Sequence, residues 1–228
     1  MTFEREGILL VNKPSGKTSF SLVAATRRRL GVKKVGHAGT LDPFATGVMV
    51  LLVGREYTRL SDSFLGQDKE YRARILLGVS TDSFDCDGQI VDKSDVVPTM
   101  EEIEKVVAQF QGEIDQVPPM FSAKKVNGQK LCDLARKGKV VDRLPCKVQV
   151  DTQIIHYEYP YLDIRVKCSK GTYIRSIAHE IGLALGSFGH LIELQRTQSG
   201  KYALSECLDG NLLDVAGYDL QPHLRKMA

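Results

Sequence analysis

The sequence has no apolar run that approaches the roughly 18 residues a membrane-spanning helix needs. Its first residues, MTFEREGILLVNKP, lack a cationic region followed by a cleavage site, so no secretory signal is expected. Its five cysteines are scattered, without a CxxC pair or metal-ligand spacing, which is typical of reduced thiols. These absences predict a cytoplasmic protein and argue against a disulfide-stabilised or zinc-bound fold.

Internal repeats and linkers rich in proline, glycine or serine are also missing, which predicts one domain over residues 1–228. Two stretches imitate ligand-binding motifs but fail on spacing. PSGKTS (14–19) ends like a phosphate-binding P-loop, but Val11 stands where the motif needs its first glycine. SFDCDG (83–88) imitates a calcium loop, but its twelfth position is Ser94 instead of glutamate, which predicts a turn.

The hydrophobic pattern predicts a mixed α+β fold, because strands outnumber helices and their order is irregular. Strands are expected at GILLVNK (7–13), VMVLLVG (48–54), KEYRARILLG (69–78), an antiparallel pair joined through Pro160, and HLIELQRT (190–197) as the last strand. Helices are expected near 18–30 with Ser19 as N-cap, at 56–66, at 99–112 with a glycine stop, around 129–137, and at 172–186. In the last helix the apolar stripe excludes Arg175.

Basic residues are unevenly distributed, although the formal net charge is only +3. Residues 11–35 carry seven lysines and arginines and no acid, and residues 122–139 carry six, against Asp133 alone. The second run also contains an expected Asn-Gly turn at 127–128. Segregated basic runs favour a polyanionic partner, and a solvated helix face is the alternative for each run.

The stretch VGHAGTLDPFATGVMVLLVG (35–54) places a polar, glycine-rich loop directly against a buried strand. Pro43 disfavours helix at Asp42 and stiffens its backbone, and the glycines allow a ligand to approach closely. A carboxylate held in this way suits a nucleophile or a stabiliser of an oxocarbenium ion. The alternative is an Asx turn, in which Asp42 bonds its own backbone.

Five segments in order resemble the motifs of the TruB family of RNA pseudouridine synthases. They are GILLVNKPSGKTS, GHAGTLDPFATGVMVLLVG, KEYRARILLGVSTDSFDCDG, QVPPMFSAKKVNGQKLCDLARKG, and VKCSKGTYIRSIAHEIGLALG with HLIELQRTQSGKY. The resemblance implies a mixed, largely antiparallel sheet flanked by helices, with a basic RNA-binding insertion at about 113–147. It implies conversion of uridine 55 in the tRNA T-loop to pseudouridine, by base flipping and without a cofactor. The expected partner is the T-arm of tRNA, bound by a monomer with no obligate protein partner.

The same resemblance assigns the site residues. Asp42 is the catalytic aspartate, Tyr71 the tyrosine against the target base, and Arg175 the partner of the aspartate. The expected substrate-binding residues are His37, Tyr173, Leu194, Arg59, Lys124, Lys125 and Lys130. Arg59 stands, one residue late, where the family has a lysine. The chain ends near 228, which leaves no room for the C-terminal PUA domain that many relatives carry.

Other functions stay open at this point. A non-catalytic tRNA chaperone on the same fold would not need Asp42, Tyr71 and Arg175 together. The guide-RNA-dependent branch of the superfamily relies on a PUA domain. A glycosidase with an aspartate nucleophile would need a second acid at carboxylate-pair distance, and the five segments show none. Whether Asp42 attacks C1′ or acts through a glycal is also open.

Overall fold

The computed structural model describes residues 5–126 and 128–227. Its strands are β1 (Gly7–Lys13), β2 (Val35–His37), β3 (Thr46–Val53), β4 (Lys69–Leu77), β5 (Val79–Thr81), β6 (Ile90–Lys93), β7 (Gln111–Gln116), β8 (Lys125–Val126), β9 (Gln129–Lys130), β10 (Cys146–Glu158), β11 (Tyr161–Cys168), β12 (Gly189–Ser199), β13 (Tyr202–Ala203) and β14 (Leu208–Asp209). Its α-helices are α1 (Ser19–Leu30), α2 (Arg55–Thr58), α3 (Ser61–Leu65), α4 (Met100–Val107), α5 (Leu131–Ala135) and α6 (Ile174–Ala184). Short 3-10 helices cover Leu204–Glu206, Gly210–Asp214 and Gln221–His223.

The chain forms two compact units. Unit 1 contains the residues up to Tyr71 and from Leu194 onward, and unit 2 runs from Arg72 to Glu193. The mixed α+β class predicted from the sequence is confirmed, since both units combine strands with helices. None of the described helices has the length and apolar character needed to cross a membrane.

In unit 1 the central strand is β3, which pairs antiparallel with β1 and parallel with β12. The short strand β2 also pairs antiparallel with β3, and β14 pairs parallel with β1. From Gly47 onward every residue of β3 is buried, which explains its unbroken aliphatic sequence. The strands predicted at 7–13 and 48–54 are therefore confirmed, and they form the support for the loop that carries Asp42.

The N-cap of helix α1 lies one residue earlier than predicted. The side chain of Thr18, not Ser19, accepts the hydrogen bond from the backbone N–H of Ser21, at 3.0 Å. The predicted N-cap is therefore wrong by one position. Ser19 is buried instead, and its hydroxyl both donates to the carbonyl of Leu41 and accepts from its N–H, at 3.0 and 2.9 Å.

In unit 2 the strand order is β4-β11-β10-β7. The predicted antiparallel pair is confirmed as β10 and β11. Helix α4 begins at the capping box of Thr99 and Glu102 but ends at Val107, so the predicted glycine stop at residue 112 is wrong. Residues 111–116 form β7 instead, because they pair antiparallel with β10.

Two further predictions need adjustment. The basic helix expected around 129–137 is the shorter α5, preceded by the hairpin of β8 and β9. Of the expected Asn-Gly turn in that hairpin, Asn127 lies outside the described residues. The strand at 190–197 is confirmed as part of β12 but is not the last, because β13 and β14 follow it.

Candidate active site

Asp42 lies in the loop between β2 and β3, residues 38–45, which we call the Asp42 loop. The backbone N–H of Ala45 donates to the carbonyl of Asp42 at 3.1 Å and closes a turn immediately before β3. Asp42 is half-buried, while Leu41 and Ala45 on either side are buried. The carboxylate therefore sits on a short loop that the buried side chains of Leu41 and Ala45 anchor in the core.

The segment that imitates a P-loop holds the Asp42 loop in place. The bonds are Gly16 N–H to Pro43 O (2.9 Å), Ser15 Oγ to Phe44 O (3.0 Å), Lys13 Nζ to Pro43 O (3.0 Å), and the Ser19 hydroxyl to both backbone groups of Leu41. Three residues of the loop, Leu41, Pro43 and Phe44, thus have backbone groups bonded to residues 13–19. PSGKTS acts here as a rigid support for a loop and not as a phosphate cradle.

Two fully buried cations flank the start of β3. Lys13 on β1 and Arg196 on β12 are both opposite Gly47 in the strand pairing, one on each side. The guanidinium of Arg196 donates to the carbonyls of Val48 at 2.7 Å and Gly39 at 3.2 Å. Both cations therefore combine a structural role with a charge placed beside the Asp42 loop.

The burial of Lys13 and the charges near it shift its pKa. Burial lowers the pKa of its ammonium group to about 8, with Asp42 raising it and Arg196 lowering it further. Lys13 consequently remains mostly protonated at neutral pH, and its charge interacts with that of Asp42. Neither Lys13 nor Arg196 was predicted as a site residue from the sequence. The signal for Arg196 was its position two residues after the buried Leu194, on the same face of a strand.

The backbone of β12 leaves no room for a side chain at Gly47. Its φ is +106°, and an added Cβ would lie 2.2 Å from the carbonyl oxygen of Arg196 and 2.6 Å from its nitrogen. Because a strained φ alone costs on the order of 1–3 kcal/mol, we expect Gly47→Ala to lower the free energy of unfolding by more than that. Urea denaturation measures the loss.

The matched control is Gly217→Ala, because Gly217 also has a positive φ, +80°, but no atom within 4 Å of an added Cβ. In the control, the free energy of unfolding should fall only by the amount that the strained φ costs. Equal losses in the two variants would show that β12 does not approach β3 as closely as described.

His37 ends β2 and is half-buried. Burial, and secondarily the charge of Arg196, lowers the pKa of its imidazole, so the ring is neutral at pH 7. Its Nδ1 is buried and has no hydrogen-bond partner among the described residues. A neutral ring on the strand that leads into the Asp42 loop is suited to contact a base.

The remaining predicted residues of unit 1 differ in exposure. Tyr71 is half-buried on β4, and Leu194 is buried on β12, where its carbonyl accepts from the Thr46 hydroxyl at 3.5 Å. Arg59 follows α2 directly and is exposed. Asp42, Tyr71, His37, Leu194 and Arg59 thus belong to one unit of the fold.

Arg175 lies in unit 2, near the start of α6, and it is buried, with 4% of its surface exposed. The reading of Arg175 as lying off the buried stripe is therefore wrong. Its guanidinium donates to the carbonyls of Ser83 at 3.1 Å and Phe121 at 2.8 Å, and it forms an ion pair with Asp85 at 3.4 Å. Both partners of the ion pair are less than a tenth exposed.

Asp85 was missed as a site residue because SFDCDG was read only as a failed calcium loop. The predicted turn is present between β5 and β6, and it places Asp85 in the core. Its carboxylate also accepts from the Ser83 hydroxyl at 2.5 Å and from the Asp87 N–H at 3.1 Å. The turn therefore stabilises a buried carboxylate that holds Arg175.

The other predicted residues of unit 2 differ in exposure and in hydrogen bonding. Tyr173, half-buried before α6, exchanges two hydrogen bonds between its backbone and the buried side chain of Gln116, at 2.7 and 3.1 Å. Lys125 and Lys130 are exposed and directly opposite each other in the pairing of β8 with β9. Lys124 is half-buried and donates to the thiol of Cys146 at 2.6 Å.

Comparison with known proteins adds independent findings. Residues 27–174 match the family model "TruB family pseudouridylate synthase (N terminal domain)", and residues 175–223 match "tRNA pseudouridylate synthase B C-terminal domain". The tRNA pseudouridine synthase B of Protochlamydia amoebophila is 62% identical over 205 residues, which are 90% of this chain and 78% of that protein. That of Chlamydia muridarum is 60% identical over 220 residues, 96% of this chain and 91% of that protein.

Solved structures show the same fold at lower identity. A chain in a Cbf5-Nop10-Gar1 complex matches with a TM-score of 0.72 at 30% identity, covering 96% of this chain and 59% of that chain. A chain in an H/ACA RNP bound to a substrate RNA containing 2′-deoxyuridine matches with a TM-score of 0.68 at 30% identity, over 92% and 53%. This chain thus spans little more than half the length of those two.

Proposed function

The chain belongs to the TruB family of pseudouridylate synthases, and from that premise we propose that it converts uridine 55 in the T-loop of tRNA to pseudouridine. The observation that carries the proposal is the Asp42 loop, a half-buried carboxylate held on a rigid backbone beside two buried cations. The identity of about 60% to proteins named tRNA pseudouridine synthase B supports tRNA as the substrate.

The proposed reaction breaks the N1–C1′ bond of uridine and forms a C5–C1′ bond. C5 loses its proton to solvent and N1 gains one, so the atoms balance without an oxidant or a leaving group. The uridine must first leave the base stack, at a cost of a few kcal/mol. Asp42 then attacks C1′, or it stabilises positive charge on the sugar along a glycal path. Both routes need an ionised carboxylate, and the ammonium group of Lys13 places a positive charge near Asp42.

Tyr71 is proposed to stack on the uracil and to move a proton through its hydroxyl. We expect Tyr71→Phe to bind tRNA as the wild type does but to lose most of its kcat, because the ring stays and the hydroxyl is lost. Steady-state kinetics on unmodified tRNA give kcat and KM. Tyr57→Phe is the matched control, since Tyr57 is also half-buried in unit 1. Wild-type kcat in Tyr71→Phe would leave only the ring with a role.

Lys125 and Lys130 are proposed to bind RNA phosphates. Like charges directly opposite each other on a hairpin repel, and a phosphate between them removes that cost. We expect the double change to alanine to raise KM for tRNA and to leave kcat at saturation nearly unchanged. The slope of log affinity against log salt should flatten by roughly 0.7–0.9 per lost contact.

Two details sharpen this test. Lys124 is left unchanged because its ammonium group bonds Cys146. The control is the double change of Lys93 and Lys105 to alanine, since both are exposed lysines of unit 2 outside the insertion. If both double variants show the same KM and salt slope, the hairpin lysines are an ordinary solvated surface.

The proposed function is tested on an unmodified tRNA transcript, without any guide RNA. After incubation with the protein, carbodiimide-dependent primer extension should stop at position 55 and at no other uridine. A transcript with cytidine at position 55 is the control. Absence of the stop at 55 would overturn the proposal, and a stop that appears only after a guide RNA is added would favour the guide-dependent alternative.

A further inference from the structure

Helix α1 presents an aromatic ring to solvent. Phe20 is 64% exposed, the highest value for an aromatic side chain among the described residues. The opposite face of the helix supplies the core contacts, with Leu22, Val23, Ala25, Thr26 and Leu30 all buried. Phe20 therefore adds little to the stability of the fold, and its ring is accessible to a ligand.

One arginine of the same helix lies over this ring. Arg27 lies two turns further along the same helix face, with its guanidinium carbon 5.8 Å from the ring centroid, within cation–π range. A hydrogen bond of 2.7 Å to the carbonyl of Val35 fixes that guanidinium beside the ring. Arg28 is exposed next to it, and α1 contains no acidic residue. We call Phe20 with Arg27 and Arg28 the Phe20 surface.

Not every cation of the basic run at 11–35 is available to a ligand. Lys13 is buried, Arg29 donates to the carbonyl of Tyr218, and Lys17 pairs with Asp214. A cavity of about 370 Å³ lies against Lys17, Arg28 and the 3-10 helix at Gly210–Asp214. Arg27 and Arg28 remain on the same helix as Phe20, and Arg28 also lines this cavity.

The start of α1 borders the Asp42 loop. Ser19, the residue before Phe20, holds Leu41 through two hydrogen bonds, and Leu41 precedes Asp42. RNA that brings a nucleotide to Asp42 thus also comes near the first turn of α1, which carries Phe20. One aromatic ring is far smaller than a protein interface, but it matches a single nucleobase, and the cations match the phosphates on either side.

We propose that the Phe20 surface stacks one unpaired base of the substrate RNA and binds its neighbouring phosphates, so that it helps to hold the T-loop open. The proposal rests on the proposed function, because it takes tRNA as the ligand. It assigns to α1 a binding role additional to the predicted site residues.

The sequence contains no tryptophan, which allows a direct test. In Phe20→Trp the new indole is the only one in the protein, and stacking on a base quenches its fluorescence. We expect unmodified tRNA to quench the fluorescence of this variant. Because an indole also stacks on a base, its KM should be that of the wild type. Met227→Trp is the control, because Met227 is also exposed in unit 1, at 51%. Its fluorescence should change little.

Kinetics complete the test. Phe20→Ala and Phe20→Leu should both raise KM for tRNA by roughly 5- to 150-fold, which corresponds to about 1–3 kcal/mol per stacked base. The kcat of both should stay near that of the wild type, and abasic substitutions along the T-loop should identify the one base that quenches. Wild-type KM in both variants together with an unquenched Phe20→Trp would overturn this proposal while tRNA modification stands. A wild-type protein that modifies no tRNA would instead overturn the proposed function.

Discussion

We expect Asp42→Asn to reduce kcat on tRNA by at least about 10⁴-fold, the scale of loss seen when an essential catalytic group is removed. The amide keeps the volume of the carboxylate but has neither its charge nor its nucleophilicity. Because the loop backbone is held by the segment at 13–19, the substitution should leave the fold intact. Affinity for tRNA should stay close to that of the wild type.

The measurement combines multiple-turnover kinetics with a binding titration on the same tRNA. Asp62→Asn is the matched control, since Asp62 is an exposed aspartate of unit 1 and should retain full activity. Multiple turnover by purified Asp42→Asn would contradict the assignment of Asp42. Loss of both binding and thermal stability would show that the carboxylate has a structural role instead.

Arg175→Leu is expected to lose both activity and stability, because the structure buries the ion pair with Asp85. Breaking a buried pair by removing one partner costs about 3–5 kcal/mol, since a charge is left unpaired in the core. Burial of the ion pair makes this a loss of stability as well as of activity, and urea denaturation measures the loss of stability.

A double variant separates the two roles. Adding Asp85→Leu to Arg175→Leu removes the unpaired carboxylate, so a large part of the lost stability should return. Activity should not return, because the resemblance to the TruB family implies that Arg175 is the partner of the catalytic aspartate. A stable double variant with wild-type kcat would assign Arg175 to the core alone.

The elements that surround the Asp42 loop were predictable from the sequence because they are strongly patterned. β1 and β3 are unbroken aliphatic runs with turn residues on either side, which only buried strands explain at this length. The loop itself was recognisable from Asp42, Pro43 and the glycines. Local sequence therefore sufficed where backbone conformation and burial are decided locally.

The missed features all depend on contacts between residues distant in sequence. Arg196 reaches carbonyls about 150 residues away, and Asp85 pairs with an arginine 90 positions later. β7 was missed because QGEIDQ has no apolar alternation, and its strand conformation comes from pairing with β10. Neither propensity nor periodicity records such partners, so these charges looked like ordinary polar residues in the sequence.

The most direct test of the account is tritium release from tRNA that carries [5-³H]uridine at position 55 alone, at single turnover and with excess protein. Because C5 exchanges its hydrogen for the bond to C1′, the wild-type protein should release about one tritium per tRNA. Under the same conditions Asp42→Asn should release none above the buffer control. Release by Asp42→Asn at the wild-type rate, or no release by the wild type from correctly folded tRNA, would contradict the account.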